Sequence, residues 1–117
     1  MQRRSSLLRI HDMFEAVGGI EEAIKGKSYR DYQRSWVLRS AVERGIEIVS
    51  EASRHLASEL KSQHKDVRWQ DIAGIGNILR HEYQRVDSQI IWKVVKDDLP
   101  PLKQALLMMK ASLEEPE

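Results

Sequence analysis

Residues 38–60 read LRSAVERGIEIVSEASRHLASEL, and their periodicity decides the fold. Leu38, Ala41, Val42, Gly45, Ile48, Val49, Ala52, Leu56 and Leu60 recur at three- and four-residue steps. That spacing puts side chains on one face of an α-helix. The pattern reaches back to about Asp31 and on to about Lys61. At 1.5 Å per residue it predicts a helix about 40 Å long. So long an element in a chain of 117 residues is a scaffold for the other helices. Ala41, Gly45 and Ala52 remove bulk along the stripe and predict close approach by neighbours.

The same period continues on both sides. Leu7, Ile10, Phe14, Val17, Ile20 and Ile24 mark a first helix. Gly18 and Gly19 interrupt it at roughly 1 kcal/mol each relative to Ala, which predicts a kink or a close helix contact. Lys25 to Ser28 form a turn, and Ser62 to Asp66 a polar loop. Trp69, Ile72, Ile75 and Leu79 define a third helix. Asp87 or Ser88 caps a fourth, with Ile90, Ile91, Val94 and Val95 inward. Asp97 to Pro101 break that helix, and Pro101 suits a first helical turn. Leu102, Ala105, Leu106, Met109 and Leu113 form the last helix, ahead of a frayed tail at residues 114–117. No strand pattern, repeat or linker intervenes. The expectation is one domain over residues 1–117, an all-α antiparallel bundle of four or five helices.

Composition narrows the function. Charged residues make up 32% and apolar ones 41%, as in soluble helical proteins. Cysteine is absent, so no disulfide or thiolate metal site exists. His11, His55, His64 and His81 are scattered without ligand spacing, so neither metal nor cofactor is expected. No apolar run reaches membrane-spanning length. Met1 to Leu8 carries charge without an apolar stretch behind it, unlike a signal peptide, and a cytoplasmic protein is expected. The net charge of +1 requires any basic surface to be local. Arg30, Arg34, Arg39 and Arg44 climb one segment, and as a solvated helix face they need no partner.

Asn77-Ile78-Leu79-Arg80-His81-Glu82-Tyr83 gathers more polar chemistry than any other stretch. Asn77 and His81 are four residues apart and share a helix face; Arg80 and Tyr83 are three apart. A histidine titrates near neutral pH and can take the proton of a ribose 2′-hydroxyl, which then attacks the adjacent phosphate. An arginine grips phosphate bidentately and stabilises the charge that builds on it. Such chemistry spares DNA, which lacks the hydroxyl. The same residue types also make an ordinary helix surface, and the short string alone does not decide.

Longer blocks do. Residues 7–24, Ala41 to Ala52, Trp69 to Tyr83, Asp87, Ile91-Trp92 and Asp97 to Pro100 resemble, in order, the HepT-like branch of the HEPN superfamily. That family holds the toxins of HEPN/MNT toxin–antitoxin pairs. The resemblance implies an all-α homodimer and a metal-independent ribonuclease with its site at the dimer cleft. Its motif is an Arg, four to six residues, a His, one residue and a Tyr, which His81 and Tyr83 match. It also implies a nucleotidyltransferase antitoxin that attaches AMP to the tyrosine, here Tyr83. The added phosphates would block RNA beside His81. A two-fold dimer has a physical motive too, since one chain brings a single arginine and histidine to the motif and two copies double both.

One departure stands out. The family's arginine precedes the Asn, and here that position is Gly76. Arg80 lies one turn on, and helical side chains lean toward the N-terminus. Arg80 is therefore expected to reach back over the space Gly76 leaves. The alternative is a catalytically weak or inactive member that serves as a nucleotidyltransferase or nucleotide-binding partner. Arg39 and Arg44 border the expected cleft as RNA contacts or as plain ion-pair partners. Trp36, Trp69 and Trp92 read as core or dimer anchors in preference to base-stacking platforms. Asn77 orients His81 or bonds locally.

Overall fold

The computed structural model describes residues 2–82 and 86–114. Helix α1 (Gln2–Ile24), α3 (Trp36–Arg54), α5 (Trp69–Glu82) and α7 (Leu99–Glu114) carry the architecture. The short α2 (Tyr29–Arg34), α4 (Ser58–Ser62) and α6 (Ser88–Lys93) link them. Among the described residues there is no strand. The all-α bundle expected from the periodicity is the fold observed.

Helix α3 is the scaffold, with α1 on one flank and α5 on the other. Val42, Ile46 and Val49 are buried, facing Ile10, Met13, Val17 and Ile20 of α1 and Ile72, Ile75 and Leu79 of α5 within one core. Leu102, Leu106 and Met109 of α7 complete that core. Lys103 of α7 ties back to Glu21 of α1 at 2.9 Å.

The single long helix expected from Asp31 to Lys61 is three helices. Ser35 is extended (φ −104°, ψ 109°), and its Oγ accepts the Leu38 amide at 3.0 Å. Ser28 and Asp31 cap α2 reciprocally. Serine hydroxyls compete for backbone donors, so Ser28 starts α2, and Ser35 ends α2 and starts α3. At the far end α3 stops at Arg54 with His55 as C-cap. Its 19 residues span about 28 Å. Leu56 stays buried beyond the break, so the apolar stripe outlasts the helix.

The glycines behave differently from expectation. Helix α1 runs unbroken through Gly18 and Gly19. Both are exposed, and nothing lies within 4 Å of a Cβ added at either. The close contacts are elsewhere. A Cβ on Gly45 would stand 2.6 Å from Ile20 Cγ1, where α1 crosses α3. A Cβ on Gly76 would overlap Oγ and Cβ of Ser50, where α5 crosses α3. Ala52 is buried as expected, whereas Ala41 is exposed.

Asp87 caps α6, its carboxylate accepting the Gln89 amide at 2.9 Å. Ile91 and Val95 point inward; Ile90 is exposed, contrary to expectation. Nor does the chain break at residues 97–101. Val94–Asp98 form a π-helical turn leading directly into α7. Pro100 and Pro101 sit in the first turn of α7. A proline ring crowds the carbonyl four residues back and donates no hydrogen bond, and the wider turn takes up that misfit.

Candidate active-site helix

Helix α5 is clamped to α3 along one side. Ser50 Oγ donates to the Ala73 carbonyl at 2.8 Å, and Arg54 Nη2 donates to the same oxygen at 3.0 Å. Gly76 closes the contact, with Glu47 Cα only 3.8 Å from where its Cβ would be. Arg54 thus meets Ala73 while Glu47 meets Gly76, so the two helices run antiparallel. The C-terminal end of α5, which carries the motif, points toward the N-terminal end of α3.

This clamp sorts the motif. Ile72, Ile75, Gly76 and Leu79 are buried; Asn77, Arg80 and His81 are exposed. At 100° per residue His81 stands about 180° from Ile72, with Asn77 beside it. Both project away from the core. Arg80 turns about 100° from His81, onto the flank facing α3. There its Nη2 lies 3.6 Å from Glu51 Oε2.

Arg80 does not occupy the space over Gly76. Ser50 fills that space, and Arg80 pairs with the residue beside it. An arginine at position 76 would have to displace α3 itself. Gly76 is thus a packing glycine on the inner face of α5.

Glu51 draws together more than Arg80. A ring nitrogen of His55 lies 3.2 Å from its Oε1 and Arg54 lies 4.0 Å from its Oε2. The hydrogen bond from His55, followed by the charges of His55, Arg80 and Arg54, holds the Glu51 carboxyl below the usual range. His55 therefore has a partner that its isolated place in the sequence does not suggest. Arg44 pairs with Glu47 at 3.3 Å.

A cleft of about 330 Å³ lies between α1, α3 and α5, with Arg9, Asp12, Arg44, Glu47, Glu51 and Arg80 on its walls. Arg44 lines this cleft, and Arg39 donates to the Gln33 carbonyl. Arg9, Asp12 and Glu51 were not singled out from sequence. Only the antiparallel packing of three helices brings them beside Arg80. His81 is not among the residues lining this cleft, so one chain gathers the arginines and leaves the histidine outside. Tyr83 lies outside the described residues.

The tryptophans divide. Trp92 packs between Tyr29 and Tyr32, with ring centroids 6.0 and 5.3 Å away. Trp69 donates Nε1 to the His64 carbonyl at 3.1 Å. Trp36 is not a core residue: it is 72% exposed, beside Val37 at 71%.

The ribonuclease HepT-like family model matches residues 13–109. The chain belongs to the HepT-like family. That match takes in α3, α5 and the motif up to and past His81. A relative named "Probable ribonuclease HepT" in Thermococcus cleftensis is 34% identical over 86% of this chain and 92% of its own. A Methanocaldococcus jannaschii protein named a "putative RNase" is 32% identical over 88% of this chain and 94% of its own. Another relative with that description, in Caldanaerobacter subterraneus, is 38% identical over 70% of this chain and 73% of its own. No solved structure gives a significant match. Among the described residues of this HepT-like chain, no helix is long and apolar enough to cross a membrane.

Proposed function

We propose that this HepT-like protein is a metal-independent endoribonuclease acting in the cytoplasm as a toxin. The observation that carries the reading is the exposure of Asn77, Arg80 and His81 on a helix whose other face is locked to α3. His81 takes the proton of a ribose 2′-hydroxyl, and Asn77 orients its ring. The 2′-oxygen attacks the adjacent phosphorus while Arg80 balances the growing negative charge. The bond to the 5′-oxygen breaks, leaving a 2′,3′-cyclic phosphate and a 5′-hydroxyl. The departing oxygen takes its proton from an imidazolium, supplied by His81 of a second copy. A homodimer follows from this need, because His81 faces away from its own core. Arg39 and Arg44 of α3 are further contacts to the RNA phosphates in this reading.

In the same reading the toxin belongs to a type VII HEPN/MNT module. A nucleotidyltransferase antitoxin transfers AMP from ATP to the hydroxyl of Tyr83, two residues beyond His81, and pyrophosphate leaves. The test is induced expression of wild type and His81→Ala with the RNA termini mapped. Growth arrest and cyclic-phosphate ends with wild type alone are expected. Equal growth of both strains, with intact RNA, overturns the reading.

A second reading has its own observation. Gly76 stands where the family carries arginine, and Ser50 fills its surroundings. An inactive partner of a nucleotidyltransferase or nucleotide would tolerate that loss. Purified protein that leaves RNA uncut, with Tyr83 verified free of AMP, favours it.

A further inference from the structure

Trp36 is the largest apolar side chain left in solvent among the described residues, 72% exposed at the first position of α3. Trp36, Glu43, Glu47, Ser50 and Arg54 follow one another at steps of seven, four, three and four residues. They therefore run along one flank of the α3 axis. Further along, this is the flank that meets α5, through Ser50, Arg54 and Glu47. Because α5 runs antiparallel, counting from the level of Glu47 and Gly76 puts His81 opposite about residue 42. Trp36 then stands about 9 Å farther along the same flank, past the motif end of α5.

The charge around it is lopsided. Residues 27–43 hold Lys27, Arg30, Arg34 and Arg39 against Asp31 and Glu43, a net +2 in a chain whose total is +1, while Arg44 is paired with Glu47. Arg30 and Arg34 are exposed on α2, which leads into Trp36 through Ser35. An exposed aromatic ring on a cation-rich segment is the combination that stacks a base and grips the flanking phosphates. The charge also argues against a second copy as occupant: a two-fold contact centred on Trp36 would press two +2 ends together.

We infer that Trp36 stacks on an unpaired base of the RNA strand as it leaves the site at His81, with Arg30 and Arg34 on the adjoining phosphates. This rests on the ribonuclease reading and assigns that site a subsite for the flanking strand. Stacking tolerates every base, so the subsite selects single-stranded RNA over duplex without reading sequence.

The experiment titrates the protein against a fluorescein-labelled single-stranded RNA, 2′-O-methylated throughout so that it cannot be cut. Trp36→Ala is expected to weaken binding by about ten-fold, within the range for one lost stack, and Trp36→Phe to retain most of it. Tryptophan quenching on titration should be lost with Trp36→Ala. Arg34→Ala should lower the slope of log K against log salt by about 0.7. Unchanged RNA affinity in Trp36→Ala, with cleavage of ordinary RNA still dependent on His81, overturns the inference and leaves the ribonuclease standing. A Trp36→Ala monomer where wild type is a dimer by light scattering also overturns it and assigns the surface to a second copy. Absence of both binding and cleavage in wild type fails the ribonuclease reading and the inference together.

Discussion

The two faces of α5 obey different constraints. On the inner face Gly76 touches Ser50 so closely that no side chain fits. On the outer face Asn77 and His81 stand in solvent. The inner face is fixed by volume; the outer one is free of packing and, on the proposed reading, is set by chemistry. In sequence the two are interleaved within a few residues, so a departure from the family pattern at Gly76 looks like a change of chemistry. In the fold it is a change of packing.

The largest effect that separates the faces is expected from His81→Ala. On the proposed reading this removes the general acid–base group and should lower RNA cleavage by about 10²–10⁴-fold, with an unchanged thermal midpoint because the side chain is exposed. A large drop in stability would break the distinction between the faces. Gly76→Ala should do the opposite. It overpacks the contact with Ser50 and should destabilise the chain by about 1–3 kcal/mol, measured by urea unfolding. Combining it with Ser50→Gly should recover part of that loss, since the removed Cβ and Oγ are the atoms in the way. Gly76→Arg should be worse than Gly76→Ala, even though the resemblance in sequence leads one to expect arginine there.

Gly18→Ala sharpens the point at a smaller scale. That glycine is helical and exposed with open space around it, so alanine should stabilise by about 0.5–1 kcal/mol. The same substitution therefore changes sign between α1 and α5. The Arg80–Glu51 pair should give a coupling of only about 0.2–1 kcal/mol in a double-mutant cycle, because both side chains are near half exposed. A much larger coupling would place Arg80 among the structural residues and not the chemical ones.

A pH measurement tests the far end of α5. Burial pushes the Asp98 carboxyl above its ordinary value of 3.8, with Arg68 at 3.8 Å opposing. The folded chain thus binds this proton more tightly than the unfolded one. Its contribution favours folding at low pH and is lost as pH rises through the raised folded value. Asp98→Asn should remove that part of the pH dependence, read by comparing unfolding midpoints of the two proteins from pH 4 upward.

The sequence by itself determined the helical class, the buried stripes and the position of the motif on its helix. These are periodic properties of consecutive residues: Ile72, Ile75 and Leu79 fall inward because 100° steps put them there. The cap at Asp87 was legible for the same local reason. Only the tertiary structure decided where α3 begins and ends, since Ser35 could bond its own backbone or lie inside one longer helix. Packing alone showed that Gly76 is filled by Ser50 while Gly18 and Gly19 face nothing. It alone brought Arg9, Glu51 and Arg80 to one cleft and left Trp36 in solvent. Those outcomes depend on which helix crosses which, and on the space left between them, neither of which any spacing along the chain encodes.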